Sequence, residues 1–205
     1  MLIYLYFSLT GETHNMVKIL AFAGSGRKNS INKKILAIAA KAAQEAGAEV
    51  TIVNLEDFDM PIFNEDLEAE QGMPVEAQAF KELLISHDGF LISSPEYNSS
   101  YSSLFKNAID WASRKTGEEA PMAAYRGKVA AIMAASPGGL GGMRVLVVLR
   151  MLMENLGTMV LPNQKAVGGA FAMFDGDGNI TDAKTEKALK SLGEELVETL
   201  TKLKG

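Results

Sequence analysis

The sequence has no cysteine, two histidines and no long apolar run, and each shortage removes a class of function. Without thiols there is no cysteine nucleophile, disulfide, iron–sulfur cluster or thiolate-bound zinc. His14 and His87 stand far apart in the chain, so neither supports a metal site, and Ser25 and Ser136 have no histidine partner for hydrolytic catalysis. We therefore expect no bound metal ion and assign no catalytic side chain. His87, which follows a predicted helix, is expected to be solvated.

Charge and hydropathy argue against two classes of partner. The 25 acidic and 20 basic residues give a formal net charge of −5, so no general basic field attracts nucleic acid or acidic membranes. The apolar run at residues 1–7 is far shorter than the roughly 20 residues of a membrane-spanning helix. It also lacks the charged start and cleavage site of a secretory signal. We expect a cytoplasmic protein that binds neither nucleic acid nor membranes.

From Met16 onward, short apolar runs alternate with longer stretches of helical spacing, which is typical of βα units around a parallel sheet. The predicted strands are Val17–Ala23, Glu49–Val53, Gly89–Ser93, Lys128–Ala135 and one that begins at Thr158–Leu161. The predicted helices are Ile31–Ala46, Val75–Ser86, Ser103–Arg114, Met143–Asn155 and Asp182–Lys204. Residues 54–74 are expected to form a long surface connection, because they are acidic and contain two prolines.

Right-handed crossovers between these strands predict an α/β fold: a single doubly wound, five-stranded parallel sheet of flavodoxin-like order 2-1-3-4-5. Ligands of such sheets bind outside the carboxyl ends of the strands, where the strand order reverses. We therefore expect functional residues in the loops after strands one, three and four. Residues 16–205 are expected to form one domain. Residues 1–15 are interpreted as an upstream extension, with an extra edge strand as the alternative.

The segment after the first strand has the features of an anion site. It opens a helix, where free N–H groups and the positive helix end attract anions. Its hydrogen-bonding and basic side chains are Ser25, Arg27, Lys28, Ser30, Asn32, Lys33 and Lys34. Basic side chains at a helix N-terminus are repelled by the positive end of the helix dipole. A bound phosphate would make their charge favourable, because it attracts both the side chains and the helix end. The alternative is a helix capped by Ser30 with solvated lysines.

The same segment narrows the class of phosphate ligand. It lacks the GxxxxGK[ST] pattern of nucleotide triphosphatases, and Asn29 stands where GxGxxG has its third glycine. A dinucleotide site uses that glycine for close packing of the helix on the strand. A single terminal phosphate, such as that of FMN, is therefore a better candidate.

Motifs in all three loops carry a family resemblance. They are Gly24-Ser-x-Arg-x-x-Ser-x-Asn32, Pro95-Glu-Tyr-Asn98 followed by Lys106-Asn-Ala-x-Asp-Trp111, and Ser136-Pro-Gly-x-x-Gly-Gly142. From Met16 to about Pro162 the chain resembles the NADPH-dependent FMN reductase family, which includes bacterial chromate and quinone reductases and some azoreductases. The resemblance implies a flavodoxin-like flavoprotein.

The resemblance also implies a reaction. Electrons pass from NADPH or NADH to FMN and on to a small-molecule acceptor, which is a quinone, free flavin, an azo compound or a metal oxyanion such as chromate. Because hydride enters at the flavin itself, the protein supplies orientation and electrostatics. The alternative is an FMN-binding electron carrier or redox sensor without efficient NAD(P)H turnover.

The implied cofactor-binding residues lie in the same three loops. They are Ser25, Arg27, Ser30, Ile31, Asn32, Pro95, Glu96, Tyr97, Asn98, Ser136, Gly138 and Gly139. The first loop would hold the phosphate, and the other two would approach the isoalloxazine, largely through backbone groups. One departure from the family is Ser102-Ser103, where Pro-Gly is frequent, preceded by Tyr101. Tyr101 either narrows the space above the flavin, stacks on a substrate, or is a partly exposed loop aromatic.

Two further segments invite interpretation. The helix from Met143 to Leu156 is apolar almost all round, although a helix on one sheet face needs a single apolar stripe. This excess of apolar residues predicts a subunit interface in a homodimer or homotetramer; burial by neighbouring helices is the alternative.

Residues 175–186 carry acids at calcium-loop positions, but Ile180 stands where the loop needs glycine. We interpret this segment as a turn that caps the last helix.

Overall fold

The structure is a computed structural model that describes residues 16–176 and 178–205. The expectations for residues 1–15 lie outside the described residues. Across the described residues, five parallel strands form one sheet in the order β2-β1-β3-β4-β5. The strands are β1 (Lys18–Ala23), β2 (Glu49–Asn54), β3 (Gly89–Ser94), β4 (Val129–Ala135) and β5 (Met159–Val167). The predicted fold class and strand order are confirmed.

Helices cover both faces of this sheet. They are α1 (Ile31–Glu45), α2 (Glu65–Gln71), α3 (Val75–Ser86), α4 (Ser103–Ser113), α5 (Met143–Asn155) and α6 (Ala183–Lys204). Alternate strand side chains face opposite layers. Ile19, Leu91 and Met133 pack in a cluster with residues of α1 and α6. Phe22 and Phe90 pack in a second cluster with residues of α3, α4 and α5.

Helix α2 lies in the segment predicted to be a surface connection. It begins where the Asn64 side chain accepts hydrogen bonds from the N–H groups of Asp66 and Leu67, and it ends at Gly72, which has a φ of 75°. No residue of α2 is buried. The sequence prediction missed it because an exposed helix of this length has no apolar stripe to recognise.

The predicted solvation of His87 is wrong. Its side chain is buried at the end of α3. The imidazole Nδ1 lies 2.6 Å from the carbonyl oxygen of Leu83, and Nε2 lies 2.9 Å from the Thr51 hydroxyl. The ring therefore fills the gap between α3 and β2.

Charged groups join elements at the amino edge of the sheet, opposite the predicted site. The Lys128 ammonium donates to the carbonyl of His87, and burial lowers the pKa of Lys128. Asp88 accepts from the Lys18 N–H at 2.7 Å and from the Lys204 ammonium at 2.6 Å. Burial raises the pKa of Asp88, but these two hydrogen bonds and the Lys204 charge outweigh it, so that its pKa is lowered.

The segment before α6 is a turn. Phe174 and Ile180 form an antiparallel bridge, and the Asp175 N–H donates to the Asn179 carbonyl at 2.9 Å. Asp182 then caps α6, because its carboxylate accepts from the Thr185 N–H at 2.6 Å. This confirms the interpretation as a turn and a helix cap. Among the described residues there is no group of three or more histidine, aspartate or glutamate side chains placed to hold a metal ion. No helix in the described ranges is long and apolar enough to cross a membrane.

Candidate functional site

Three loops meet at the carboxyl edge of the sheet. Loop one (residues 24–30) follows β1, loop two (95–102) follows β3, and loop three (136–142) follows β4. The strand ends are in register, since Ala23 lies beside Ser93 and Ser94 lies beside Ala134. The loops predicted to carry the function are therefore neighbours in space, and residues distant in sequence form one site.

Loop one starts with a backbone that is fixed on two sides. The Gly24 N–H donates to the Ser93 carbonyl at 2.8 Å, and the Ser102 hydroxyl donates to the Gly24 carbonyl. A Cβ atom at position 24 would lie 3.0 Å from the Cβ of Phe105. Glycine lets loop one pack directly on α4, because a side chain here would press on Phe105.

The start of α1 offers donors for an anion. Ser30 occupies the N-cap position, but its buried side chain makes no capping hydrogen bond, and the first helical turn contains no acid. The alternative of a helix capped by the Ser30 side chain is therefore wrong. The Ser25 hydroxyl, also buried, accepts from the Arg27 N–H at 3.4 Å. The uncapped N–H groups of this turn and the positive helix end remain available to a ligand.

The basic residues of this region divide into two pairs. Lys33 forms an ion pair with Glu56, and the Lys34 ammonium lies 5.0 Å from the centroid of the Phe174 ring. Arg27 and Lys28 are exposed, and their side chains have no ion pair or hydrogen bond with any other residue in the described part of the chain. Two positive charges at the mouth of loop one therefore remain for an anionic ligand.

Asn32, the last of the predicted residues in this region, is buried between two strands. Its Nδ2 donates to the Ala135 carbonyl at 3.0 Å. Its Oδ1 accepts from the Ala135 N–H and from the Ser93 hydroxyl, both at 2.9 Å. The carboxamide thus joins the first turn of α1 to the ends of β3 and β4.

Glu96 of loop two binds the start of α5, the helix that follows loop three, through its side chain. One carboxylate oxygen accepts from the backbone N–H groups of Arg144 at 3.1 Å and Val145 at 3.3 Å. The residue at the N-cap position of α5, Gly142, has no side chain to do this. A carboxylate at a helix N-terminus is stabilised by the helix dipole. Glu96 therefore caps α5 and ties loop two to the helix that follows loop three.

The next four residues form a tight turn. Tyr97 and Ser100 exchange backbone hydrogen bonds of 2.8 Å and 3.1 Å. The central residues, Asn98 and Ser99, have φ angles of 52° and 66°, as in a type I′ turn. Asparagine tolerates this conformation more readily than serine, and the Arg144 guanidinium braces Ser99 by donating to its hydroxyl at 3.1 Å. The turn presents the Tyr97 side chain, which is half exposed.

Loop three packs against the end of β5 at glycine contacts. The Ser136 N–H donates to the Val167 carbonyl at 3.1 Å, and the Gly138 carbonyl accepts from the Gly169 N–H at 3.2 Å. A Cβ atom on Gly168 would lie 2.4 Å from the Gly139 carbonyl oxygen. Side chains are excluded from this contact, while Gly138 and Gly139 themselves face solvent.

The remaining predicted residues support the loops. Ile31 is half-buried and packs on the α1 and α6 layer, and Pro95 is buried at the start of loop two. Tyr101 is partly buried, with its ring 5.9 Å from that of Phe105. Ser102 caps α4 by accepting from the Phe105 N–H at 3.1 Å, so the departure from Pro-Gly provides a cap.

Sequence reasoning missed several supporting contacts. Asn107 and Trp111, quoted in the family motif, bind the connection after β2. The Asn107 side chain accepts from the Phe63 N–H at 2.8 Å, and the Trp111 indole donates to the Pro61 carbonyl at 2.7 Å. No periodic or compositional signal predicts these partners, because they lie more than 40 residues away in the chain.

The geometry fits a flavin mononucleotide. A phosphate monoester matches the uncapped α1 N-terminus with Arg27 and Lys28 beside it. A planar ring system matches the exposed backbone of loops two and three, which presents Tyr97, Gly138 and Gly139. The α1 N-terminus and these loops lie at the carboxyl edge of the sheet, around the point where the strand order reverses direction.

Comparisons with known proteins identify the family of this chain. The family model of NADPH-dependent FMN reductases matches residues 17–172. An NAD(P)H:quinone oxidoreductase of Solanum tuberosum is 34% identical over 195 residues, which are 93% of this chain and 96% of that protein. A quinone reductase of Pseudomonas putida is 34% identical over 177 residues, 84% of this chain and 89% of that protein.

A solved structure shows the same relationship in three dimensions. The flavoenzyme FerB of Paracoccus denitrificans, an NAD(P)H:(acceptor) oxidoreductase, matches with a TM-score of 0.76 and 30% sequence identity. The match covers 91% of this chain and 98% of that one. The chain belongs to the NADPH-dependent FMN reductase family, and it is an oxidoreductase with FMN as cofactor and NAD(P)H as electron donor.

Proposed function

We propose that this protein passes electrons from NAD(P)H through FMN to quinones. The observation that carries the proposal is the uncapped N-terminus of α1, next to the exposed backbone of loops two and three. Beside it lie Arg27 and Lys28, whose side chains have no partner among residues 16–176 and 178–205. The potato and Pseudomonas relatives, named for quinone reduction, support quinones as the first acceptor to test. Free flavin, azo compounds and chromate are further candidate acceptors. Residues 16–205 are proposed to act as one domain in the cytoplasm, where reduced nicotinamides are available.

The phosphate of FMN is assigned to loop one. Ser25, Ser30 and the N–H groups of the first α1 turn would donate hydrogen bonds, and Arg27 would neutralise charge. We assign Asn32 a structural role instead of contact with the phosphate, because its carboxamide already binds Ala135 and Ser93. It would hold the loops in place around the cofactor.

The isoalloxazine is assigned to loops two and three. Pro95, Tyr97 and Asn98 would line one side, and Ser136, Gly138 and Gly139 the other, with Glu96 fixing the distance between the loops. Bound FMN supplies the redox chemistry, since it accepts hydride from the nicotinamide and passes electrons to the acceptor. Backbone N–H groups of these loops would stabilise the negative charge that develops on the reduced ring.

The redox role is tested by an anaerobic visible spectrum of the FMN-reconstituted protein. Stoichiometric NADPH or NADH should bleach the oxidised flavin bands within seconds, and a quinone added afterwards should restore them. The faster of the two donors is the preferred one. Flavin that stays oxidised with both donors would contradict the reductase and favour an electron carrier or sensor.

The phosphate assignment is tested with the Arg27→Ala variant. Loss of one guanidinium from a phosphate site should raise the dissociation constant of FMN by about 10- to 100-fold, a free-energy change of about 1.4–2.8 kcal/mol. Riboflavin, which has no phosphate, should bind with unchanged affinity. Quenching of flavin fluorescence measures both constants.

Arg126 is a matched control for Arg27, because it is also exposed and lies outside the three loops. The Arg126→Ala variant should bind FMN as the native chain does. If the Arg27→Ala variant binds FMN with the same affinity as the native protein, the assignment of Arg27 to the phosphate site is contradicted.

We also propose that the protein is a homodimer or homotetramer that uses the outer face of α5. The helix buries Val145, Leu146, Leu149 and Met153 on the sheet. Met143, Val147 and Met151 line the opposite face at 54%, 64% and 55% exposure. An exposed apolar stripe of this kind marks an interaction site. Because the stripe starts beside loop three, a second subunit would approach the flavin.

The oligomer is tested by the Val147→Asp variant. A charge in the centre of the stripe should shift the molar mass, measured by light scattering, from the assembly to the monomer. The Val75→Asp variant is the control, since Val75 is 81% exposed at the start of a different helix. It should leave the assembly intact. A native protein that is monomeric at micromolar concentration would contradict the interface.

A further inference from the structure

Strand β5 is irregular where it pairs with β4. Val160 lies beside Ala130, but the next pair in register is Gln164 beside Ile132. Residues 161–163 of β5 therefore stand opposite the single residue Ala131. Such a bulge bends a strand and leaves backbone groups of the extra residues outside the ladder.

A single side chain of α5 binds the carbonyl groups of this bulge. The Arg150 guanidinium donates to the carbonyl of Val160 at 3.0 Å and to that of Leu161 at 2.7 Å. It also lies 3.4 Å from the Pro162 carbonyl and 3.1 Å from the Gln164 side-chain oxygen. These four oxygens span the irregular segment, so the guanidinium contacts most of its length, while the Asn163 side chain donates to the Glu195 carboxylate of α6 at 2.8 Å and 3.0 Å.

Arginine suits this position for two reasons. Its planar guanidinium presents five N–H donors in a fixed arrangement, whereas lysine offers a compact point charge. Its helix is also fixed, because the buried neighbour Leu149 and the equally buried Met153 pack on the sheet. The side chain is 25% exposed, so the guanidinium is largely withdrawn from water. Hydrogen bonds from a charged donor are stronger than neutral ones.

The bulge determines which residues of β5 reach loop three. After it, Ala135 lies beside Val167, whose carbonyl accepts from the Ser136 N–H at 3.1 Å. The contact between Gly168 and Gly139 follows directly, and it leaves no room for a side chain. Loss of the two extra residues from the bulge would shift the strand by about 6.6 Å at 3.3 Å per residue. A larger residue would then stand where Gly168 packs.

We propose that Arg150 is a positioning residue for the flavin: it fixes the β5 bulge and, through the strand end, the approach of loop three to the isoalloxazine. This inference rests on the proposed placement of loop three at the flavin. Arg150 contacts β5 and has no hydrogen bond to loop three within the described residues. Its effect on the cofactor is therefore indirect.

The experiment compares the Arg150→Ala and Arg150→Lys variants with Glu154→Gln. Glu154 pairs with Arg150 at 3.4 Å on the exposed side and does not touch the bulge, so its variant is the matched control. Hydrogen exchange of residues 164–170 is measured in the flavin-free protein. The dissociation constant and the midpoint potential of bound FMN are measured on the same samples.

In the Arg150→Ala variant, amides 164–170 should exchange at least about tenfold faster, while those of β1 should not change. FMN should bind about tenfold more weakly, and its midpoint potential should fall, because donors to the reduced ring are displaced. Millimolar methylguanidinium should restore the FMN affinity and the midpoint potential of the Arg150→Ala variant, whereas sodium chloride at the same concentration should not.

The Arg150→Lys variant should have an exchange rate, FMN affinity and midpoint potential between those of the native chain and the alanine variant. If the alanine variant does not fold, the lysine variant is compared with the native chain instead. Glu154→Gln should match the native chain.

The possible failures are distinct. Unchanged exchange of residues 164–170 would overturn the role of Arg150 and leave the proposed function intact. Faster exchange with an unchanged FMN affinity and potential would overturn the link from Arg150 to the flavin.

Discussion

The carboxamide of Asn32 is the interaction on which the site depends. The three loops follow three different strands. The hydrogen bonds of a parallel sheet end where the strands end, so the sheet alone does not fix the positions of the loops relative to one another. Asn32 binds Ala135 through both its amide donor and its oxygen, and it accepts from Ser93. Because the contact is buried, loss of these partners would leave polar groups unsatisfied, at about 1–3 kcal/mol each. The start of α1 and the ends of β3 and β4, which border the three loops, therefore keep one relative position.

The other contacts between the loops extend the same constraint. Glu96 binds loop two to the start of α5, the Ser102 hydroxyl binds loop one, and Arg150 holds the strand that supports loop three. Glu96 and Ser102 bind backbone groups more than 40 residues away in the chain, whereas Arg150 binds the next strand, 11 residues further on. The site is thus largely assembled before a ligand binds, which lowers the conformational entropy that the loops must lose on binding.

The sequence was sufficient to predict the sheet and the three loops that meet at its carboxyl edge. Apolar periodicity predicted the strands, and right-handed crossovers between them predicted the strand order that the structure has. That order led us to expect the ligand at the carboxyl edge. Exposed α2 escaped prediction because it buries no residue. The burial of His87 escaped because it depends on Thr51, which is distant in sequence. The roles of Asn32 and Glu96 in positioning the loops could not be predicted either, since residue type alone does not distinguish a side chain that binds a ligand from one that positions a loop.

The most direct test compares FMN and riboflavin binding to the Asn32→Ala variant, measured by fluorescence titration at a temperature where circular dichroism shows it folded. If Asn32 holds the loops together, both ligands should bind about tenfold more weakly and by the same factor, because the isoalloxazine contacts are displaced for both. If the FMN affinity falls while the riboflavin affinity is unchanged, Asn32 acts on the phosphate, and its place as the link between the loops is contradicted.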